Sequence, residues 1–308
     1  MAHPMQIALI GYGEVGKILA EDLRAQGQAV TVHDLKLRHD SGEPLRAHAA
    51  QHAAQHGVLL AMSHTEAVRG ADLVISAVTA SQTGAAALAC APAIGSAFYL
   101  DFNSASPGAK AEAAAHIDDA GGRYVEGAVM TSVPPYRIKV PLLLGGPDAA
   151  ALQPLLQRLG FAPKVASAQL GVASATKMCR SVMIKGLEAM VIESLTTARH
   201  YGVEDAVIAS LQETFPGIAW EQQASYFFQR VIAHGRRRSE EMREVAVTVR
   251  EAGLAPHSAA GTAERQAAMA DLADAGVFGT RGEAGFARSA GWRDEADRIL
   301  AAAKKDKP

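Results

Sequence analysis

Short apolar runs alternate with alanine-rich segments through the first half of the chain. The intervening segments, such as residues 16–26 and 107–120, have the residue types of helices. Strands that alternate with helices predict a doubly wound, mostly parallel sheet with helices on both faces, an α/β fold. The predicted strands are Ile7–Ile10, Ala29–His33, Leu73–Val78, Phe98–Asp101, Tyr124–Val125 and Val140–Leu144.

The pattern changes after Lys164, where helical periodicity replaces the strands. Residues 168–200 are predicted to form one long helix, with Ser167 as its N-cap. We therefore predict two domains, residues 1–166 and an all-α C-terminal domain of residues 167–308, joined by this interdomain helix. The other predicted helices are 204–213, 219–233, 236–252, 255–275 and 291–303.

A glycine-rich turn follows the first predicted strand and opens a helix. Gly11, Gly13 and Gly16 form the G-x-G-x-x-G pattern, which allows a tight turn, close approach of a pyrophosphate and close helix–strand packing. The second strand leads into Asp34, an acid that can accept hydrogen bonds from ribose hydroxyls. This combination predicts a Rossmann domain that binds a dinucleotide.

Asp34 favours NAD over NADP because a carboxylate repels a 2′-phosphate. Lys36 and Arg38 follow it and offer positive charge for NADP, so the choice stays open, with NAD preferred. Strand ends line the ligand crevice of this fold. The predicted dinucleotide contacts are Gly11, Tyr12, Gly13, Glu14, Val15, Gly16, Asp34, Val78, Thr79 and Asn103.

The composition is that of an ordinary globular protein, with 49% hydrophobic and 20% charged residues and a formal net charge of -2. This charge gives no reason to expect a nucleic acid or an anionic membrane as partner. Two cysteines, Cys90 and Cys179, predict reduced thiols rather than a disulfide framework. With no signal peptide or apolar run of about 18 residues, we expect a cytoplasmic protein.

Three histidines recur four residues apart in a segment rich in Ala and Gln. On a helix, His48, His52 and His56 would share one face and could share a metal ion. No carboxylate or cysteine accompanies the spacing, so we favour a solvated helix and predict no metal site.

Three further segments follow strands or open the long helix. They are Asp101-Phe-Asn-Ser-Ala-Ser-Pro107, Glu126-Gly-Ala-Val-Met-Thr-Ser132 and Gly171-Val-Ala-Ser-Ala-Thr-Lys177. Together with the glycine loop, their order and spacing resemble the β-hydroxyacid dehydrogenase family, which includes 6-phosphogluconate and 3-hydroxyisobutyrate dehydrogenases. The resemblance is greatest to a branch with a shorter C-terminal domain.

The resemblance implies that Lys177 donates and accepts the proton, and that Asn103 and Ser104 bind substrate or the cofactor amide. The residues themselves also support Lys177. Hydride transfer needs a proton at the carbonyl oxygen, and a lysine serves near neutral pH when burial lowers its pKa from about 10.4. The alternative is a lysine with no catalytic role, whose aliphatic side chain packs along an interdomain helix while its amine reaches solvent.

Two departures from the family pattern concern the substrate. Ser181 stands where the family usually has Asn, and Met130, Thr131 and Ser132 replace a Ser-Gly-Gly turn that holds a carboxylate. Two prolines follow shortly and offer no N–H groups. The departures predict a bulkier or partly apolar substrate in place of a simple small hydroxy acid.

His234 and Arg237 precede an apolar-periodic segment. One interpretation has them hold an anionic group of the substrate. The other, which we favour, has solvated side chains at a helix N-terminus, with arginines paired to Glu240 and Glu241.

The sequence thus predicts an NAD(P)-dependent dehydrogenase or reductase that acts on a CH–OH group of a small molecule. There are three alternatives: an oxidative decarboxylase of a β-hydroxy acid, an imine reductase, and a non-catalytic sensor that binds a dinucleotide. Lys177 argues against the imine reductase. The resemblance also implies a homodimer joined through the C-terminal helices.

Overall fold

The computed structural model describes residues 4–37 and 43–305. One sheet occupies the N-terminal half. Its strands are β1 (Gln6–Ile10), β2 (Ala29–His33), β3 (Leu59–Leu60), β4 (Leu73–Ser76), β5 (Phe98–Asp101), β6 (Arg123–Val129), β7 (Pro141–Gly145) and β8 (Ala162–Ser167).

The sheet is doubly wound about β1. The strand order is β3-β2-β1-β4-β5-β6-β7-β8, so the chain moves outward from β1 first in one direction and then in the other. All neighbouring strands are parallel except β6 and β7, which are antiparallel. The predicted α/β architecture is confirmed.

Helices account for most of the remaining described residues. They are α1 (Glu14–Ala25), α2 (Glu43–His56), α3 (His64–Val68), α4 (Thr83–Cys90), α5 (Pro107–Asp119), α6 (Ala149–Arg158), α7 (Val172–Tyr201), α8 (Glu204–Thr214), α9 (Trp220–Glu251), α10 (His257–Asp274) and α11 (Trp292–Lys305).

Both faces of the sheet are buried. Ile7 and Leu9 of β1 belong to one hydrophobic cluster, and their neighbours Ala8 and Ile10 belong to another on the opposite face. Alternate residues of a strand point to opposite faces, so an uninterrupted apolar run marks a strand that is covered on both sides.

One strand and one helix start between the two halves of the chain differ from prediction. The sequence analysis missed β8, which spans Ala162–Ser167 and pairs with β7. Ser167 is consequently a strand residue and no N-cap, and α7 begins at Val172. β8 lies at the edge of the sheet, and Val165 is its one residue with a strong strand preference, which is too little to mark a strand in the sequence.

A single helix, α9, replaces the two helices predicted around His234 and Gly235. Glycine lowers helix propensity, which is why the sequence pattern appeared interrupted there. Tertiary packing reverses that preference: a Cβ at Gly235 would lie 2.7 Å from the Gln266 carbonyl oxygen in α10. Gly235 therefore allows α9 and α10 to pack closely.

The chain divides into two compact units, Met1–Met178 and Cys179–Pro308. The division falls within α7, whereas the predicted boundary at residues 166 and 167 falls in β8. The second unit has its own core, in which Trp220, Phe228 and Trp292 are buried. Across residues 4–37 and 43–305, no helix combines the length and the apolar character needed to cross a membrane.

Candidate active site

The glycine loop between β1 and α1 leaves no room for side chains at two of its three glycines. Gly11 has φ of 98°, and a Cβ there would lie 2.4 Å from the Ala77 carbonyl oxygen. A Cβ at Gly16 would lie 2.1 Å from the Gly11 carbonyl oxygen. At Gly13, no atom of the described residues lies within 4 Å of such a Cβ. The loop thus closes tightly on itself and leaves an open approach at Gly13, as a pyrophosphate requires.

Asp34, at the end of β2, is tied to this loop. Its Oδ2 accepts a hydrogen bond from the Tyr12 amide at 2.6 Å, and its Oδ1 accepts one from the Lys36 amide at 2.8 Å. The carboxylate is therefore held at the carboxyl edge of the sheet next to the glycine loop. Lys36 is exposed beside it, and Arg38 lies outside the described residues.

Tyr12 is buried beneath the loop, with 3% of its surface exposed. Burial, together with the negative charge of Glu21, raises the pKa of its phenol to about 12. The phenol is therefore a neutral hydrogen-bonding group at physiological pH. Glu14 and Val15, which follow Gly13, begin α1 at the positive end of its dipole.

Asn103 links the ends of β4 and β5. Its Oδ1 accepts from the Val78 amide at 2.7 Å, and its Nδ2 donates to Ser76 Oγ at 3.1 Å. Val78 and the exposed Thr79 lie just beyond β4, which ends at Ser76, short of the predicted Val78. The buried Asn103 side chain thus positions the loop that carries Val78.

Lys177 and Ser104 meet, although 73 residues separate them. Lys177 Nζ donates to Ser104 Oγ at 2.5 Å, and both side chains are partly buried. Ser104 follows β5, so this contact lies at the carboxyl edge of the sheet. Met130, Thr131 and Ser132 follow β6, which is parallel to β5, and end at the same edge.

Glu126 holds the start of α7, a role that the sequence reasoning missed. The side chain is fully buried, and its Oε1 accepts from the amides of Gly171 and Ala173, both at 2.9 Å. Its Oε2 accepts from Ser174 Oγ at 2.8 Å. A carboxylate at a helix N-terminus satisfies amides that have no partner within the helix and interacts favourably with the helix dipole. Glu126 thereby positions the turn before Lys177.

A buried ion pair holds the segment that carries Ser104. Lys110 Nζ lies 2.9 Å from Asp101 Oδ1, and it donates to the carbonyl oxygens of Asp101 and Gly127. The Tyr124 hydroxyl donates to Asp101 Oδ2 at 2.6 Å, and burial, then the Asp101 charge, raises the pKa of Tyr124 well above its ordinary value. In the sequence, this network is indicated only by a lysine three residues after Pro107. The partner of that lysine could not be identified from the sequence.

Three predicted site residues lie in the second unit. Ser181 is buried on α7, whereas His234 and Arg237 are exposed in the middle of α9. The prediction that they lie at a helix N-terminus is wrong, because α9 is continuous. Arg237 does pair with Glu241, one turn along the helix. Within the same unit, Glu241 also accepts from Lys185 at 2.5 Å.

Comparison with known proteins identifies the family. Residues 6–167, more than half of the chain, match the model described as the NAD binding domain of 6-phosphogluconate dehydrogenase. The chain belongs to the β-hydroxyacid dehydrogenase family. Residues 198–269 match a second model, described as a domain of unknown function (DUF1932). This family member is therefore an NAD(P)-binding oxidoreductase.

Three solved structures are similar over most of their length. A conserved hypothetical protein from Sinorhizobium meliloti 1021 is 34% identical over 97% of each chain, with a TM-score of 0.77. A conserved protein of unknown function, described as similar to 3-hydroxyacid dehydrogenases, is 29% identical over 87% of this chain and 98% of its own, with a TM-score of 0.68. The 3-hydroxyisobutyrate dehydrogenase of Mycobacterium tuberculosis shares the fold at 19% identity, over 87% of this chain and 94% of its own, with a TM-score of 0.69.

Proposed function

We propose that this chain is an NAD(P)-dependent dehydrogenase or reductase that acts on a CH–OH group, with Lys177 as the general acid and base. The observation that carries the proposal is the contact between Lys177 Nζ and Ser104 Oγ at the carboxyl edge of the sheet. Substrates of doubly wound folds bind at that edge. An amine and a hydroxyl placed together there can exchange a proton with a substrate oxygen.

The residues fit a nicotinamide dinucleotide. The cradle formed by Gly11, Gly13 and Gly16 would hold its pyrophosphate, and Asp34 would accept hydrogen bonds from a ribose hydroxyl. When bound, the nicotinamide supplies the hydride acceptor or donor. We propose NAD as the preferred dinucleotide because Asp34 puts negative charge where NADP carries its 2′-phosphate.

Lys177 would take the proton from the substrate hydroxyl during oxidation and return it during reduction. Ser104 would hold the amine in place and offer its own hydroxyl to the same oxygen. Met130 borders this edge with an apolar side chain, and Thr131 and Ser132 offer hydroxyls. We therefore propose a substrate that resembles a hydroxy acid and carries a bulky or partly apolar group.

Substitution of Lys177 tests the proposal. Purified wild-type protein is screened with NAD and NADP against hydroxy acids of increasing size, β-hydroxy acids that can lose carbon dioxide, and cyclic imines, with nicotinamide absorbance as the readout. Lys177→Ala should lower kcat by about 100-fold to 10,000-fold, the usual contribution of a general acid or base. Dinucleotide affinity, measured by fluorescence titration, should stay within a few-fold.

Lys164→Ala is the matched control, because Lys164 is an exposed lysine of β8 in the same unit. It should leave both turnover and dinucleotide affinity unchanged. Turnover that survives in Lys177→Ala within a few-fold contradicts the proton-transfer role. Tight dinucleotide binding without turnover of any substrate class would instead favour the sensor.

A further inference from the structure

Within the part of the chain that the structure describes, one group of three potential metal-ligating side chains lies close together. It consists of Glu21 of α1 with His52 and His56 of α2, and one ligand atom from each lies within 4.8 Å of the others. The carboxylate comes from a different helix, which is why the spacing of the histidines alone did not indicate it. The expectation of a merely solvated histidine helix rested on the lack of such a partner.

The two histidines have the spacing that metal sites on helices use. Residues four apart lie on one face of a helix, and the ring centroids of His52 and His56 are 4.6 Å apart. Glu21 Oε1 already lies 2.9 Å from His52 Nε2. Zinc bonds of about 2.0–2.2 Å in a tetrahedron place ligand atoms about 3.3 Å apart, so small side-chain rotations would close the group around an ion.

His52 and Glu21 are each oriented by a hydrogen bond to a further side chain. In the metal-free chain His52 Nε2 donates to Glu21 Oε1, and Nδ1 lies 2.7 Å from the Tyr12 hydroxyl. Binding of an ion at Nε2 would leave the ring proton on Nδ1, where the same hydroxyl can accept it. Arg137 donates to Glu21 Oε2 at 2.7 Å and leaves Oε1 facing the histidines. Such outer contacts are typical of histidine and carboxylate metal ligands.

The charges also suit a cation. Glu21 contributes a carboxylate whose Oε1 lies on the side of the histidines, while Oε2 accepts from Arg137. Arg137 lies close by, but its guanidinium Nε donates to Asp22 Oδ1 at 2.8 Å, and Asp22 therefore balances much of its charge. Two imidazoles and one carboxylate form a ligand set that suits zinc.

We propose that Glu21, His52 and His56 bind a divalent transition-metal ion of the zinc type, which joins α2 to α1 beside the glycine loop. The three side chains would supply three ligands, and water would complete the tetrahedron. The bound ion would lie one contact away from Tyr12, and it would hold the histidine-rich helix in place. This inference does not depend on the proposed catalytic role of Lys177.

Metal titration of the whole chain tests the site directly. Protein stripped with a chelator and exchanged into clean buffer is titrated with zinc chloride by isothermal calorimetry, and separately with cobalt(II). We expect one zinc ion per chain, a rise in Tm on zinc addition, and cobalt d–d absorption of tetrahedral intensity. Glu21→Gln and His56→Gln should each weaken zinc affinity by about tenfold or more and abolish the cobalt bands.

His48→Gln is the matched control, since His48 is an exposed histidine on the same helix and is not part of the group. It should bind zinc as wild type does. Circular dichroism of each variant without metal separates loss of ligand from loss of fold, and His56→Gln removes no hydrogen bond to α1. The proposal fails if wild type binds no zinc, or if His56→Gln and His48→Gln bind it equally.

Discussion

Ser104 places the amine of Lys177 through one hydroxyl. Removing that hydroxyl leaves the lysine in the chain but takes away a hydrogen-bond acceptor 2.5 Å from its nitrogen. Hydrogen bonds to charged groups contribute about 1.5–3 kcal/mol. The effect should therefore fall on turnover and leave the dinucleotide site intact.

Ser104→Ala is expected to lower kcat by about tenfold, the equivalent of about 1.4 kcal/mol, with dinucleotide affinity unchanged. Steady-state kinetics on the substrate found by the screen, together with fluorescence titration, measures both quantities. Ser96→Ala is the comparison, because Ser96 is an exposed serine before β5. Equal kcat in the two variants would show that Ser104 does not position the amine.

Glu295 of α11 is a fully buried acid. Burial raises the pKa of its carboxyl, and the attraction of Arg298 opposes this only in part. A raised pKa in the folded chain means that the folded state binds the proton more tightly than the unfolded state does. Ionisation at neutral pH therefore costs stability, and this cost disappears as the pH falls below about 4.3, the ordinary glutamate value.

Glu295→Gln should consequently raise the free energy of unfolding at neutral pH by about 1 kcal/mol. The difference from wild type should shrink as the pH approaches about 4. Urea unfolding at both pH values measures it, with Glu264→Gln, the same change at an exposed position of α10, as control. A Glu295→Gln variant that is less stable at neutral pH would show that the ionised carboxylate is stabilising.

At the scale of single residues, the sequence indicated those whose chemistry is general. The glycines of the loop, Asp34 and Lys177 were recognisable because each stands at a fixed place relative to a predicted strand or helix. Glu126 was not, because its partners lie 45 to 48 residues further along the chain. A buried carboxylate is assigned a role only when the amides around it are known.

α9 and α10 approach each other closely at one glycine, Gly235. A Cβ at Gly235 would meet the Gln266 carbonyl oxygen at 2.7 Å, and backbone cannot yield as a flexible side chain does. Gly261 of α10 offers the opposite case, because no described atom lies within 4 Å of a Cβ built there. Substitution of glycine by alanine should thus change the free energy of unfolding in opposite directions at these two positions.

Gly235→Ala is expected to lower the free energy of unfolding by about 1–3 kcal/mol through overpacking. Gly261→Ala should raise it by about 0.5–1 kcal/mol because alanine is the better helix former. Urea denaturation of both variants measures the pair. A stabilising Gly235→Ala would mean that α9 and α10 are not in close contact there.

Elements with a strong apolar pattern were predicted correctly, and weakly patterned ones were not. β1, β2 and β5 have the predicted bounds to within a residue because most of their residues are apolar. β3 has only two residues, and β8 alternates exposed with buried positions at the sheet edge. Such strands are stabilised by pairing with a neighbouring strand, and the local sequence pattern does not predict that pairing.

At the scale of the whole molecule, the boundary between the units matters for stability. The predicted boundary at residues 166 and 167 would separate Glu126 from Gly171, Ala173 and Ser174. A chain that ends at residue 178 retains these partners, which belong to the first compact unit. Loss of all three donors leaves a buried carboxylate without its partners, which is costly.

The free energy of unfolding of a chain of residues 1–166 is therefore expected to be lower than that of residues 1–178 by about 3 kcal/mol or more. Glu126→Leu in both chains is the control, since it removes the carboxylate that needs the partners and should reduce the difference. Urea unfolding followed by circular dichroism measures all four proteins. Equal stability of the two unsubstituted chains would show that Glu126 does not tie α7 to the sheet.

The sequence by itself determined the doubly wound sheet, the helical second half, the dinucleotide loop and the candidate lysine. Each depends on local periodicity or on a motif whose residues lie close together along the chain. Tertiary structure alone decided that Ser104 meets Lys177, that Glu126 caps α7, and that Glu21 joins two histidines. These contacts form between groups that sheet order and helix packing bring together. The sequence around each side chain does not indicate which distant residue will be its partner.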